Sequence, residues 1–393
     1  MLATLALLAS AHAATLVGGS LGGADLLPAN GDVLQGTFTD VGLFRIPAGA
    51  RVFVADGVPL VVNAGTVEID GVLDGDGAGY AGGFDFVDAA GPGGGEGDES
   101  TIVGGGGGGN GGAGGRGDPA KCPIFIPGLA GGAPTGTPGG ALDAEAGSGG
   151  GQVWGVGGDG GATITLNAVT IDVAGTISVA GDDGDDHTPR AYFEGGGASG
   201  GGAGGTILLD ASGGVTLTGV LDVSGGAGGL ADTGYCSDVG GGGGGGGGRI
   251  KVFGPLTGSP SATANGGRGG SSADPGEYGR RGEVGTIWLD DLIAGPPAAV
   301  AVGVCGAATL TVTGGTPFGQ VRVLTGTGAG ADVLPVGECA GIVTGLAGLG
   351  SLGFRTLDAS GALVLTGTGP ACGGPVQVVD LWSCTTGPVV VLP

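Results

Sequence analysis

The stretch GGGGGGGGGRIKVF (Gly240–Phe253) sets nine glycines directly against a strand-like run, Arg249-Ile250-Lys251-Val252-Phe253. The pairing of a glycine-rich tract with a short apolar run recurs through the first three-quarters of the chain. Glycine has no side chain to bury and loses the most backbone entropy on folding. A chain with 106 glycines in 393 residues should therefore resist folding, yet 40% of it is hydrophobic. Those hydrophobic residues are gathered into strand-length runs, which argues for extended chain stacked on extended chain.

Four segments overlay. They are VPLVVNAGTVEIDGVLDGDGAG (Val58–Gly79), GATITLNAVTIDVAGTISVAGDDG (Gly161–Gly184), GTILLDASGGVTLTGVLDVSGGAGG (Gly205–Gly229) and GRIKVFGPLTGSPSATANGGRGG (Gly248–Gly270). A partial fifth copy, GTIWLDD, spans Gly285–Asp291. Each has an apolar run, a turn, a second run and a glycine-rich exit, and the later copies recur at about 40 residues, a repeat architecture. Alternation such as Val169-Thr170-Ile171-Asp172-Val173 has the period of a strand, and glycine interrupts every helical window. The expected fold is all-β: a glycine-rich, right-handed parallel β-helix. In that overlay Asp172 and Asp222 fall at comparable repeat positions.

The tracts Gly104–Gly109, Gly195–Gly205 and Gly240–Gly248 lie between the runs. Surface loops are the favoured reading. The other is polyglycine-II chain, three residues per turn and without internal hydrogen bonds, bundled so that N–H and C=O groups pair laterally.

Composition shifts after Ile293-Ala-Gly-Pro-Pro-Ala-Ala299. The domains expected are a secretory signal at 1–13, cut after Ala11-His12-Ala13, a glycine-rich β-helix domain at 14–292, a linker at 293–299, and a disulfide-bonded β-sandwich at 300–393. No stretch is long and apolar enough for a transmembrane helix. The formal charge of −24 repels nucleic acid and anionic membranes, and serves to keep flat extended chain soluble.

Two resemblances accompany this division. Through Gly205-Thr-Ile-Leu-Leu-Asp210, Gly219-Val-Leu-Asp-Val-Ser-Gly-Gly226 and the passage from polyglycine to Arg249-Ile250, residues 30–291 resemble the glycine-rich parallel β-helix regions of bacterial surface and adhesin-like proteins. Through Thr316-Pro317-Phe318-Gly319, Gly337-Glu-Cys-Ala-Gly341, Ala371-Cys-Gly373 and Val376-Gln-Val-Val-Asp-Leu-Trp-Ser-Cys-Thr-Thr386, the C-terminal region resembles a four-cysteine β-sandwich module of exported bacterial proteins. The resemblance implies an accessory surface module. Beside it stand the pairings Cys305 with Cys339 and Cys372 with Cys384, other connectivities remaining open. Cys122 and Cys236 form a further candidate disulfide, clamping two distant excursions.

Catalytic machinery is thinly supplied, and no catalytic residue is assigned. His187 is the one histidine after the signal and reads as a loop residue. Asp182, Asp183, Asp185 and Asp186 offer oxygen ligands to Ca²⁺, the one candidate cofactor, although a solvated turn is the preferred reading. Arg116-Gly117-Asp118 spells an integrin-type tripeptide that chance accounts for. The function expected is a non-enzymatic, secreted or cell-surface structural or adhesin-like protein. Its partner would be a surface glycan, a protein receptor or a second copy. Specificity would lie in excursions carrying Tyr80, Phe84, Phe86, Tyr192, Phe193 and Tyr235. Two alternatives stand: a carbohydrate-active β-helix enzyme (polysaccharide lyase or glycosidase), with sugar platforms at Trp154 and Trp288 and acids such as Asp74 and Asp210, and an ice- or surface-binding protein using Thr163, Thr165 and Thr170.

Overall fold

The computed structural model describes residues 13–84, 87–98, 102–121, 125–139, 141–187, 196–231, 239–258, 260–272, 278–289, 298–304, 307–314, 320–334, 343–358, 362–367, 374–380 and 385–391. The signal at 1–13, apart from Ala13, lies outside them, as do all six cysteines and Phe86, Tyr192, Phe193 and Tyr235. The chain divides into two compact units, Met1–Thr286 and Ile287–Pro393. Of the linker expected at 293–299, only Ala298 and Ala299 are described, and they open a strand.

The first unit winds as stacked coils. Its strands are β1 (Thr15–Ser20), β2 (Val33–Ile46), β3 (Arg51–Val54), β4 (Leu60–Ile69) and β5 (Val72–Asp74). A long excursion carries the hairpin of β6 (Ala120–Lys121) and β7 (Phe125–Ile126). The chain then returns as β8 (Thr163–Val173), β9 (Thr176–Ser178), β10 (Thr206–Leu217), β11 (Val220–Asp222), β12 (Arg249–Phe253), β13 (Leu256–Gly258) and β14 (Ser261–Thr263), and β15 (Thr286–Leu289) starts on the unit's last residue. One sheet orders them β14-β11-β9-β5-β3-β2-β4-β8-β10-β12-β15, with β1 on β2 and β13 on β10. The register-defined pairs are parallel, so the sheet folds on itself in the manner of a β-helix. No helix long and apolar enough to cross a membrane occurs among the described residues.

Period-2 alternation turns one set of apolar residues inward on every coil. Phe38, Val62, Leu166, Leu209 and Val252 stack rung on rung and are at most 2% exposed. Ile46, Ile69, Val173 and Leu217 form a second buried column, and Leu73, Ile177 and Leu221 a third. Burying each such side chain is worth about 1.5–3 kcal/mol. Between long and short strands the chain turns at Gly71, Gly175 and Gly219. There a Cβ would come inside 3.0 Å of a carbonyl of the preceding coil, so the turn column requires glycine.

The described glycines of these tracts pair laterally in an ordered lattice, which corrects the favoured loop reading. Along Gly240–Gly248 the N–H donors visit three neighbouring segments in rotation. Gly240, Gly243 and Gly246 donate to Ile102, Gly105 and Gly108; Gly244 and Gly247 donate to Arg280 and Glu283; Gly242, Gly245 and Gly248 donate to Gly229, Gly226 and Val223. The carbonyls accept from three others with the same period: Gly240, Gly243 and Gly246 from Ala198, Gly201 and Gly204; Gly241, Gly244 and Gly247 from Asp118, Gly115 and Gly112; Gly242 and Gly245 from Gly270 and Gly267. Six segments thus surround this one, and each bond is lateral, as in bundled polyglycine-II chain. The segment Gly104–Gly109 donates with the same rotation, to the segments of Asp118, Ala198 and Glu96. Backbone polar groups that a loop would give to water are paired inside the lattice.

Glycine is needed here for its missing Cβ, since no residue of 240–248 has a positive φ. A Cβ at any of the nine would stand inside 3.0 Å of a neighbour's carbonyl oxygen. Segments at the lattice faces carry glycine pairs and one larger residue per turn, as in Asn265-Gly-Gly-Arg268-Gly-Gly-Ser271. The edge segment Gly181-Asp-Asp-Gly184-Asp-Asp-His187 keeps only one lattice-facing residue per turn. The number of side chains per triplet therefore follows the number of sides left open.

The second unit is antiparallel. Its strands are β16 (Ala298–Val304), β17 (Ala307–Thr313), β18 (Gln320–Thr325), β19 (Gly328–Ala329), β20 (Leu346–Ala347), β21 (Gly350–Thr356), β22 (Leu363–Gly367), β23 (Pro375–Asp380), β24 (Thr385–Thr386) and β25 (Val390–Val391). They form sheets ordered β16-β17-β22 and β21-β18-β23-β24, with β25 also on β23, and a β19-β20 pair. Leu310 and Val312 of one sheet share an apolar cluster with Val321, Val323, Val376 and Val378 of the other.

Candidate functional site

The acidic run occupies an edge segment of the lattice. Asp183 and Asp186, one three-residue turn apart, accept the N–H groups of Ala227 and Leu230 at 2.6 and 2.7 Å. Asp185 accepts the Val156 N–H at 2.9 Å. Asp182 lies against Gly77, where an added Cβ would meet its carboxylate. Desolvation raises its pKa, and Asp159, Asp76, Asp183 and Asp74 add repulsion. The structure thus gives Asp183 and Asp186 to one neighbouring segment and Asp185 to another. Among the described residues no group of three or more His, Cys, Asp or Glu side chains converges as a metal site.

His187 is 6% exposed rather than a loop residue. It continues the inward-facing series Gly181–Gly184, bridges Ala231 and sets its ring 5.9 Å from that of Trp154. The triplet spacing of the glycines was the signal for that burial.

Asp172 and Asp222 do not share a ladder. Asp172 aligns with Glu68 and Thr216, whereas Asp222 aligns with Ser178 and, through it, with Asp74. The apolar columns fix this register: Asp172 precedes Val173 in one column, and Asp222 follows Leu221 in another. Asp210 stands opposite Asn167, which bonds Asn63 at 2.8 Å. Nor do the threonines form an array: Thr163 is buried, Thr165 half-buried and Thr170 exposed. Trp154 is 42% exposed, and Trp288 is half-buried.

Two concavities gather polar side chains. The first, about 480 Å³, is lined by Gln35, Phe53, Asp56, Asp74 and Asp76 among others. Arg51 pairs with the buried Asp74 and lies 5.4 Å from the centre of the Phe53 ring. Desolvation raises the pKa of Asp76 against the opposing bonds from the Ser178 hydroxyl (2.5 Å) and Ala180 N–H (2.7 Å). The Asp76 carboxylate is thus engaged with Ser178 and Ala180, and that of Asp74 with Arg51.

The second, about 320 Å³, was not assembled by sequence reasoning. Arg116, Phe125, Tyr278 and Arg280 line it with Pro119 and Pro127. It lies at the loop end of the lattice, where Asp118 donates its N–H to the Gly241 carbonyl. Within the tripeptide, Asp118 is only 5% exposed and is engaged in the fold, and the Arg116 Nε donates to the Gly128 carbonyl at 2.7 Å. This is not the presentation of an integrin-type loop tip.

The two buried cations of β12 are structural clamps. The Lys251 ammonium, on a side chain 1% exposed, donates to the Ala141 carbonyl, the Asp143 carbonyl and the Asp143 carboxylate at 2.9, 2.8 and 2.6 Å. Burial pushes the Asp143 carboxyl up, but hydrogen bonds from Lys251 and Thr137 and the Lys251 charge outweigh it and bring its pKa to about 2. Arg249 reaches the carbonyls of Thr135 and Gly136 and the Thr286 hydroxyl.

No protein-family model matches this chain, and no curated protein matches it.

Proposed function

We propose that the chain is a secreted or cell-surface structural protein, adhesin-like in its working, which holds recognition loops on a repetitive β scaffold and performs no reaction. The observation that carries the proposal is the backbone pairing of Gly240–Gly248: every described carbonyl bond of that run goes sideways into a neighbouring segment. A body built this way is stiff and poor in side chains, and its larger groups accumulate where the segments turn. Tyr80, on an edge segment of the lattice, and Phe84, Phe125 and Tyr278 are between 42% and 64% exposed. Exposed aromatic anchors on rigid supports suit binding.

The reading includes right-handed winding, as nearly all parallel crossovers have. It also includes a disulfide-bonded sandwich for the second unit, removal of the signal, and kinship with bacterial surface proteins. The test is to probe a glycan and protein-receptor array with the immobilised protein while assaying the same polysaccharides for cleavage. Binding without product is expected. Release of sugar ends would overturn the proposal in favour of a carbohydrate-active β-helix enzyme.

A further inference from the structure

We infer that the concavity between Arg116, Phe125, Tyr278 and Arg280 is a binding site for an acidic polysaccharide, one bearing uronate or sulfate groups. The inference rests on the adhesive reading above and names its ligand class.

Arginine is scarce here. Lysine and arginine together number 12 against 36 acids, so two arginines converging on one concavity in this chain call for a reason. The fold brings them together from distant sequence: the Arg280 N–H donates to the Arg116 carbonyl at 2.7 Å. Both side chains are exposed. The Arg116 guanidinium is anchored by its Nε on the Gly128 carbonyl, which orients its remaining edge. A planar, always-charged fork of this kind matches carboxylate or sulfate oxygens two at a time.

The apolar part is equally specific. Phe125 and Tyr278 are 64% and 61% exposed, come from separate excursions and face the same concavity. Scattered exposed hydrophobics need no explanation, but two rings beside two guanidiniums form one amphipathic surface. A pyranose offers the complement: a face of C–H groups for the rings and an acidic substituent at its edge for the arginines. The volume falls at the lower end of small-ligand sites.

The net charge of −24 does not oppose this. At physiological salt, charges beyond about 8 Å are largely screened, so a short acidic glycan segment senses the local arginines. A long rigid polyanion such as duplex DNA would have to lie along the acidic remainder of the surface. Asp118 in the floor is buried and engaged within the fold, and Glu283 lies one lattice turn, about 9 Å, from Arg280.

The full chain is run by affinity electrophoresis through gels containing polygalacturonate, dextran sulfate or neutral dextran. Retardation by at least one polyanion and none by dextran is expected, the two polyanion arms separating carboxylate from sulfate recognition. Arg280→Ala and Tyr278→Ala, both at exposed positions, should each weaken retardation at least tenfold, and Arg45→Ala, remote from the site, should leave it unchanged. Circular dichroism verifies folding of each variant. The inference is overturned if neither polyanion retards the protein, if dextran retards it equally, or if Arg280→Ala and Tyr278→Ala bind as wild type. Should the array meanwhile reveal a neutral glycan or a protein ligand, only this inference fails and the adhesive reading stands.

Discussion

Replacing Gly244 by alanine places one methyl group in the middle of the lattice, and its effect can be worked through. The added Cβ would stand inside 3.0 Å of the Gly267 carbonyl, a backbone atom that cannot swing aside. The segments of Gly244 and Gly267 would have to part by about 1 Å to restore ordinary contact, which stretches their bonds beyond hydrogen-bond reach. Those bonds are Gly267 N–H to Gly245 and Gly270 N–H to Gly242, at 2.7 and 2.8 Å. Leaving such buried groups unpaired costs about 1–3 kcal/mol apiece, so a net loss of roughly 2–6 kcal/mol is expected. At a few degrees per kcal/mol, the Tm of the first unit falls by roughly 5–15 °C. The control is Gly328→Ala in the second unit, where a Cβ meets nothing within 4 Å. There alanine should be neutral or stabilise by up to about 1 kcal/mol, through the unfolded chain. Scanning calorimetry reads both variants. An unchanged transition for Gly244→Ala would refute the lattice and return the tract to a solvated loop.

Lys251→Met keeps the buried stem but removes the donor to Ala141 and Asp143. Because Asp143 is 38% exposed, water repairs part of the damage, and a loss of about 1–3 kcal/mol with faster hydrogen exchange over residues 133–145 is expected. The pH dependence follows: with Asp143 lowered to about 2, its pairing stabilises the fold above pH 4 and is lost as pH falls from about 4 to 2. The acid-unfolding curve of Lys251→Met should therefore lack that component, and a curve parallel to wild type would contradict the pairing. Asp182 has the opposite sign. Its pKa is raised, so its ionised form penalises the fold above its folded value and the penalty vanishes below the ordinary carboxylate range. Asp182→Asn should raise Tm at pH 7 but not at pH 3, and equal effects at both would count against buried repulsion. Added Ca²⁺ should leave Tm unchanged, because Asp183, Asp185 and Asp186 already serve backbone N–H groups on different segments; a rise of several degrees would reinstate the cluster as a cation site.

The coils were legible because their signal is local. Alternating Val, Ile and Leu name the strands, and the spacing of about 40 residues names the stacking. Register was less legible. Overlaying residue types aligned Asp172 with Asp222, but the turn glycines Gly175 and Gly219 carry the true phase. The lattice was harder still, since its order resides in bonds between segments far apart in sequence, and polyglycine alone does not distinguish a loop from a packed segment. The legible clue was the triplet rhythm of Asn265-Gly-Gly-Arg268-Gly-Gly-Ser271, which a solvated loop has no reason to keep. The Arg116–Tyr278 concavity had no sequence signal, because it is made by excursions that meet only after the lattice assembles.

Nine identical residues cannot tell one triplet from the next, so the run from Gly240 to Gly248 carries no internal marker of its position. Its alignment must be inherited from Arg249 and the apolar column beyond, in the way a zip takes its alignment from the pin. Growth of such a body would be quantised: lengthening an outgoing and a returning segment by three residues each adds about 9 Å and preserves every facing, whereas adding one residue turns each side chain toward the wrong neighbour.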